Sequence, residues 1–169
     1  CVEAYGGTGV TLAFKEVVPA RQNKVVDCAV TGTLSGNTAK WHEVATHIYA
    51  LPLGWSHVMH AVNLKTWQKL DPKVRNFLEK EIAGLEDRIW AAAAEETQQG
   101  YDCNAGKDNC TMGTKAKMTV VPVSDADKAA LKKALSETVL PKWAARCAGE
   151  CVADWNASIG KVVGLTAKK

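Results

Sequence analysis

DPKVRNFLEKEIAGLEDRIWAAAAEETQQG, running from Asp71 to Gly100, is the stretch that decides the fold. Asp71 has the side chain of an N-cap, and Pro72 stands at the first helical position, where its missing N–H costs nothing. Val74, Phe77, Leu78, Ile82, Leu85 and Ile89 recur at helical spacing. Glu79, Lys80, Glu81, Glu86, Asp87 and Arg88 mark the wet face, Ala91 to Ala94 continue the helix, and Gly100 is the expected stop. At a rise of 1.5 Å per residue, a helix over 72–99 is about 40 Å long. An element of that length can span a two-lobed protein.

The segments on either side read as strands alternating with helices. Gly6, Gly7 and Gly9 precede the apolar run Val10–Phe14, which predicts a turn feeding a strand. Lys15–Asn23 predicts a short helix, with Pro19 tolerable only near its first turn. Val25–Val30 is continuous and β-branched, a buried-strand pattern ended by Thr31-Gly32-Thr33. A short helix is expected from Thr38 to Val44. Ile48–Leu53 is a further apolar run, broken by Pro52, and Val58–Leu64 is a strand candidate. Thr66 starts a helical turn carrying Trp67 and Leu70. Beyond the long helix, Met118–Val123 predicts a strand and Ser124 a cap. The helix after Ser124 runs towards Leu140 until Pro141 interrupts it. A second helix is expected to carry Trp143, Cys147, Cys151 and Trp155, ahead of a frayed tail at Ala167-Lys168-Lys169. The alternation indicates an α/β protein.

With 169 residues, 47% of them hydrophobic, the chain can bury a real core. A net charge of +3 with scattered basic residues gives no footprint for nucleic acid. No apolar stretch reaches bilayer length, so the chain is not expected to be membrane-embedded. Six cysteines stand at 1, 28, 103, 110, 147 and 151. The close pairs Cys103/Cys110 and Cys147/Cys151 suit two disulfides in an oxidising compartment. A zinc site built from the same four is the competing reading, although neither spacing is that of a common zinc knuckle. His42, His47, His57 and His60 have no evident ligand set, and no metal or other cofactor is expected. Asp102, Asn104, Gly106 and Asp108 echo a calcium loop but lack its closing bidentate acid. Gly6-Gly7-Thr8-Gly9 lacks the lysine of a phosphate loop, and no nucleophile–base pair marks an enzyme.

Four stretches in order resemble a known family. They are Gly6–Val17, Asn23–Ala29 (Cys28 standing where a glycine is usual), Trp41–Ala45 and Val62–Val74. Together they are similar to the extracytoplasmic solute-binding proteins of tripartite ATP-independent periplasmic (TRAP) transporters. The resemblance implies an α/β, periplasmic-binding-protein-like fold of type II, with two lobes and a long spanning helix. It divides the chain into 1–57, a strand–helix part of the second lobe with its crossover, 58–100, a return strand and the long helix, and 101–169, the cysteine loop, a strand and C-terminal helices. Family members begin with a whole N-terminal lobe and carry a carboxylate-binding arginine shortly before the Gly-turn. Both would precede Cys1, as would a removed signal peptide.

The resemblance also implies a site. Phe14 matches an aromatic that packs against the ligand. Thr31 matches a side-chain hydrogen-bonding position, usually Asn, and a hydroxyl there both donates and accepts. Gly32 adjoins it. Trp55, after Pro52-Leu53-Gly54 at a crossover, suits a cleft wall for a small organic solute. The implied function is capture of a small, anionic organic solute in the periplasm, without chemistry, and its delivery to a membrane permease. A cysteine-based redox or zinc protein is the alternative.

Overall fold

The computed structural model describes residues 2–54, 56 and 58–168. Among these it is rich in helix. In chain order the elements are α1 (Val17–Gln22), α2 (Thr33–Thr38), β1 (His47–Tyr49), α3 (Leu64–Lys69), α4 (Pro72–Asn104), β2 (Thr119–Val121), α5 (Asp125–Ala134), α6 (Leu140–Arg146), α7 (Cys151–Ala157) and α8 (Ile159–Val163). Strands β1 and β2 form a two-stranded sheet. No helix among the described residues is long and apolar enough to cross a membrane. The chain divides into two compact units: Ala13–Ile48 with Gly54–Val120, here the α4 unit, and Cys1–Leu12, Tyr49–Leu53 and Val121–Lys169, the C-terminal unit.

Helix α4 dominates its unit. Asp71 accepts a hydrogen bond from the Lys73 N–H at 2.8 Å, and Pro72 occupies the first turn, as the sequence predicts. The helix does not stop at Gly100. It runs through 33 residues to Asn104, about 50 Å at the standard rise. Gly100 is buried against α2, so its missing side chain serves close packing rather than termination. Phe77, Ile82, Leu85, Ile89 and Trp90 of α4 stay exposed. The preceding helix, α3, has a cap the sequence reading overlooked: Asn63 accepts from the Thr66 N–H at 3.2 Å.

Three predicted strands are not formed. Val10–Phe14 is irregular and ends in a 3₁₀ turn over Phe14–Glu16. Val25–Val30 and Val58–Leu64 lack strand structure, and Val25, Val30, Val58 and Met59 are all more than 60% exposed. An apolar run becomes a strand only where a neighbour satisfies its backbone donors and acceptors. Among the described residues none of these runs pairs with a strand. By contrast β2 lies inside Met118–Val123 and β1 overlaps the start of the Ile48–Leu53 run, and they pair: Thr119 N–H bonds the Thr46 carbonyl at 2.9 Å. The helix expected over Thr38–Val44 is displaced too. Helix α2 ends at Thr38, Lys40 turns into the left-handed region at φ 61°, and Trp41–Glu43 is a separate 3₁₀ turn. The helix predicted over Lys15–Asn23 forms as that 3₁₀ turn and α1, with Pro19 its third residue.

In the C-terminal unit Ser124 and Asp127 cap α5 reciprocally, the pattern in which two orphan N–H groups of the first turn are satisfied at once. Pro141 does not end the helical run. A π turn over Leu135–Val139 leads directly into α6, with Pro141 in its first turn. The widened turn accommodates a residue that has no N–H and whose ring crowds the preceding carbonyls. The single helix expected to carry Trp143, Cys147, Cys151 and Trp155 is two. It breaks after Arg146, and Gly149 takes a positive φ of 59° before α7 begins. Leu140, Ala144 and Ala167 form the core here, with Trp143, Val152, Trp155 and Leu165 packed around them. The tail is not frayed at Ala167. Asn156 donates to the Ala167 carbonyl at 3.0 Å and accepts its N–H at 2.8 Å, and Ala167 is 3% exposed.

Candidate functional site

The α4 unit gathers most of the residues singled out from the sequence. Phe14 lies on the 3₁₀ turn that leads into α1, half-exposed, and packs on the indole of Trp41 with ring centroids 5.3 Å apart and planes tilted by 36°. That separation is favourable for an aromatic pair. Gly36 of α2 lies under the indole: a Cβ there would stand 3.6 Å from Trp41 Cε3 and 3.2 Å from the Thr31 methyl. Thr31 is exposed, and Gly32 is the extended N-cap residue of α2. Phe14, Trp41 and Thr31 are thus linked through one packing locus. Trp55 and His57 lie outside the described residues.

Arg21 braces this locus from α1. Its guanidinium donates to the carbonyls of Val26 at 2.9 Å and Val44 at 3.3 Å, tying α1 to the segment before Thr31 and to the end of the Trp41 turn. Sequence reading missed both Arg21 and Trp41. Trp41 was noticed only as part of a motif, and a carbonyl-binding arginine has no spacing signature. Two polar atoms at the turn are buried without a partner, the indole Nε1 of Trp41 and Nδ1 of His42.

A polar keystone holds α2 against the end of α4. Asn37 is fully buried, donating to Asn104 Oδ1 at 2.9 Å and the Thr114 carbonyl at 2.8 Å and accepting the Thr114 N–H at 2.7 Å. Asn104 donates in turn to the carbonyls of Thr33 and Gly100. Two of the four residues that echoed a calcium loop are therefore committed to internal bonds, because Asp102 is committed as well. Its carboxylate takes Lys107 Nζ and Gln98 Nε2, each at 2.9 Å, and Asn109 Nδ2 at 2.6 Å. No cluster of potential metal ligands exists among the described residues.

The cysteines are paired as the spacing suggested. Cys103 bonds Cys110 in the α4 unit, with Cα atoms 4.6 Å apart, and Cys147 bonds Cys151 in the C-terminal unit, with Cα atoms 6.0 Å apart. Cys28 is exposed and outside both bridges, and Cys1 lies outside the described residues. Each bridge closes a short loop, so each stiffens its own turn.

The hydrogen bond from Lys107, followed by those from Asn109 and Gln98, holds the Asp102 carboxyl below the usual carboxylate range against the opposing effect of burial. A folded-state pKa below the unfolded one adds stability that is complete above the unfolded value, about 3.9, and is lost as pH falls through the lower folded value. Asp102→Asn should therefore melt below the wild type at pH 7. The gap should close in acid well below pH 4, as thermal melts across that range will show. A gap unchanged from pH 7 to pH 2 would contradict the assignment.

The α4 unit thus holds a packed Phe14–Trp41 pair, the exposed Thr31 beside α2 and one disulfide. The family described as Bacterial extracellular solute-binding protein, family 7 (DctP) matches residues 1–145, and the chain belongs to it. This is the family of TRAP extracytoplasmic solute-binding proteins, whose fold is periplasmic-binding-protein-like and whose members are not enzymes. No curated protein and no solved structure matches the chain.

Proposed function

We propose that this protein captures a small organic carboxylate in the periplasm and delivers it to the membrane permease of a TRAP transporter. The family match over 145 residues carries the reading. The proposed contacts are Phe14, Thr31, Gly32 and Trp55. Phe14 supplies an apolar wall, and Thr31 a hydroxyl that bonds an acceptor or donor on the solute. The packing of Phe14 on Trp41, and of Trp41 and Thr31 about Gly36, supports the placement. In this reading residues 1–57 and 58–100 belong to a ligand-holding lobe and its connecting helix. The cysteine-based alternative loses support because four of the six cysteines are committed to two disulfides.

Capture without chemistry is read as stabilisation. A ligand that binds only the folded state at a hundredfold excess over Kd adds about 2.7 kcal/mol. For a protein of this size that raises Tm by about 5–10 °C. A panel of mono- and dicarboxylates, 2-oxo acids and hydroxy acids, each at millimolar concentration, should give such a shift for one acid or a chemically close group. A flat response across the panel would remove the reading.

A further inference from the structure

We infer that Trp41 is a specificity-determining residue of the solute site, its indole N–H reserved for an acceptor oxygen on the bound solute. The inference rests on the proposed capture function and adds a residue and a bond to it. Three observations converge on this side chain.

The first is the orphan donor. Trp41 Nε1 is buried and has no hydrogen-bond partner. A buried N–H left unbonded forfeits its hydration, and native structures rarely tolerate one without a use. The indole can donate and cannot accept, so whatever completes it must bring an oxygen or another acceptor. A carboxylate or a keto oxygen has that chemistry.

The second is the neighbour. Phe14, half-exposed, packs on the same indole at 5.3 Å. It sits on a three-residue 3₁₀ turn whose N-terminal flank, Val10–Ala13, has no regular structure. The half-exposed ring gives a solute an apolar surface next to the indole. The third is the rigidity beneath. The other edge of the indole, at Cε3, faces Gly36, where a Cβ would already be in contact. The Arg21 bond to the Val44 carbonyl and the Ala45 N–H bond to the Trp41 carbonyl at 3.0 Å hold the turn from below. The indole is held from two sides beside a half-exposed aromatic, which suits a preorganised donor.

Trp41→Phe keeps an aromatic partner for Phe14 and deletes the N–H together with the five-membered ring that carries it. It should weaken binding about tenfold, the loss of one hydrogen bond in a desolvated site. The probe is the acid giving the largest Tm shift with wild-type protein, titrated calorimetrically into the full chain. In the wild type, the Trp41 indole resonance in ¹⁵N-labelled protein should move downfield on titration with that acid, assigned by its absence in Trp41→Phe. The smaller ring should also lower the ligand-free Tm, so the affinity loss is read together with the wild-type indole shift, which a loss of packing does not produce. Wild-type-like affinity in Trp41→Phe overturns the inference and leaves the capture function standing. So does an indole resonance unmoved by a bound acid. If no acid on the panel shifts the wild-type Tm, the capture function and this inference fall together.

Discussion

Gly100→Ala should lower the stability of the protein by about 1–3 kcal/mol, against the sign that helix propensity gives. In an exposed helix interior the same change gains about 0.5–1 kcal/mol, because glycine pays the largest backbone entropy. At position 100 the added Cβ collides with the backbone of Thr33 and Leu34 and with Thr33 Oγ1. Two of these three are main-chain groups, and Thr33 is further held by its own bond to the Thr97 carbonyl at 2.9 Å. None can turn aside as a flexible side chain would, so α2 must lift away from α4. Gly84 supplies the control within the same helix. A Cβ there meets only the mobile end of Arg88, at 3.5 Å. Gly84→Ala should therefore raise Tm by about 1–4 °C and Gly100→Ala lower it by about 2–12 °C. Equal shifts of one sign in the two variants would mean that α2 does not sit on α4 as described.

The contrast between the two glycines also shows what the sequence could tell. Both lie in one helical pattern, and local signals read the helix start correctly, because Asp71 and Pro72 act on their own first turn. The same signals misplaced the end. Gly100 looks like a stop from its neighbours alone, and its purpose is a contact 67 residues away in sequence. The strand errors share this cause. Val10–Phe14, Val25–Val30 and Val58–Leu64 have the composition of strands, but strand formation is decided by a pairing partner that composition does not contain. Pairing succeeded where two such runs met, at β1 and β2. Capping at Ser124 was legible since cap and partner are three residues apart. The cysteine pairs were legible for the same reason, with separations of 7 and 4 residues. Of the proposed contacts, Phe14, Thr31 and Gly32 come from motif order. Trp41 and Arg21 became visible only through a ring packed across 27 positions and a guanidinium reaching across 23.

The keystone asparagine gives the other large effect. Asn37→Ala should cost about 3 kcal/mol, at about 1 kcal/mol for each of three hydrogen bonds. The cost exceeds that of deleting an exposed polar group because the partners stay behind. The Thr114 N–H and carbonyl and Asn104 Oδ1 lose their bonds to Asn37, and Asn104 is itself only 3% exposed. Asn37→Asp tests the geometry further. It preserves the acceptor for the Thr114 N–H, yet it turns both donors into acceptors facing Asn104 Oδ1 and the Thr114 carbonyl, with a charge whose two neighbours are both acceptors. Asp should therefore be worse than Ala, although it is the closer match in shape. Urea unfolding will rank the three proteins through their midpoints, with the slope m unchanged if only the folded state is affected. Asp equal to wild type would refute the network. The consequence extends to binding. Helix α2 begins one residue after Gly32, and its Gly36 stands next to both Thr31 and the Trp41 indole. Loosening Asn37 releases the helix beside those proposed contacts, so Asn37→Ala should lose solute affinity as well as stability, while touching no solute atom itself.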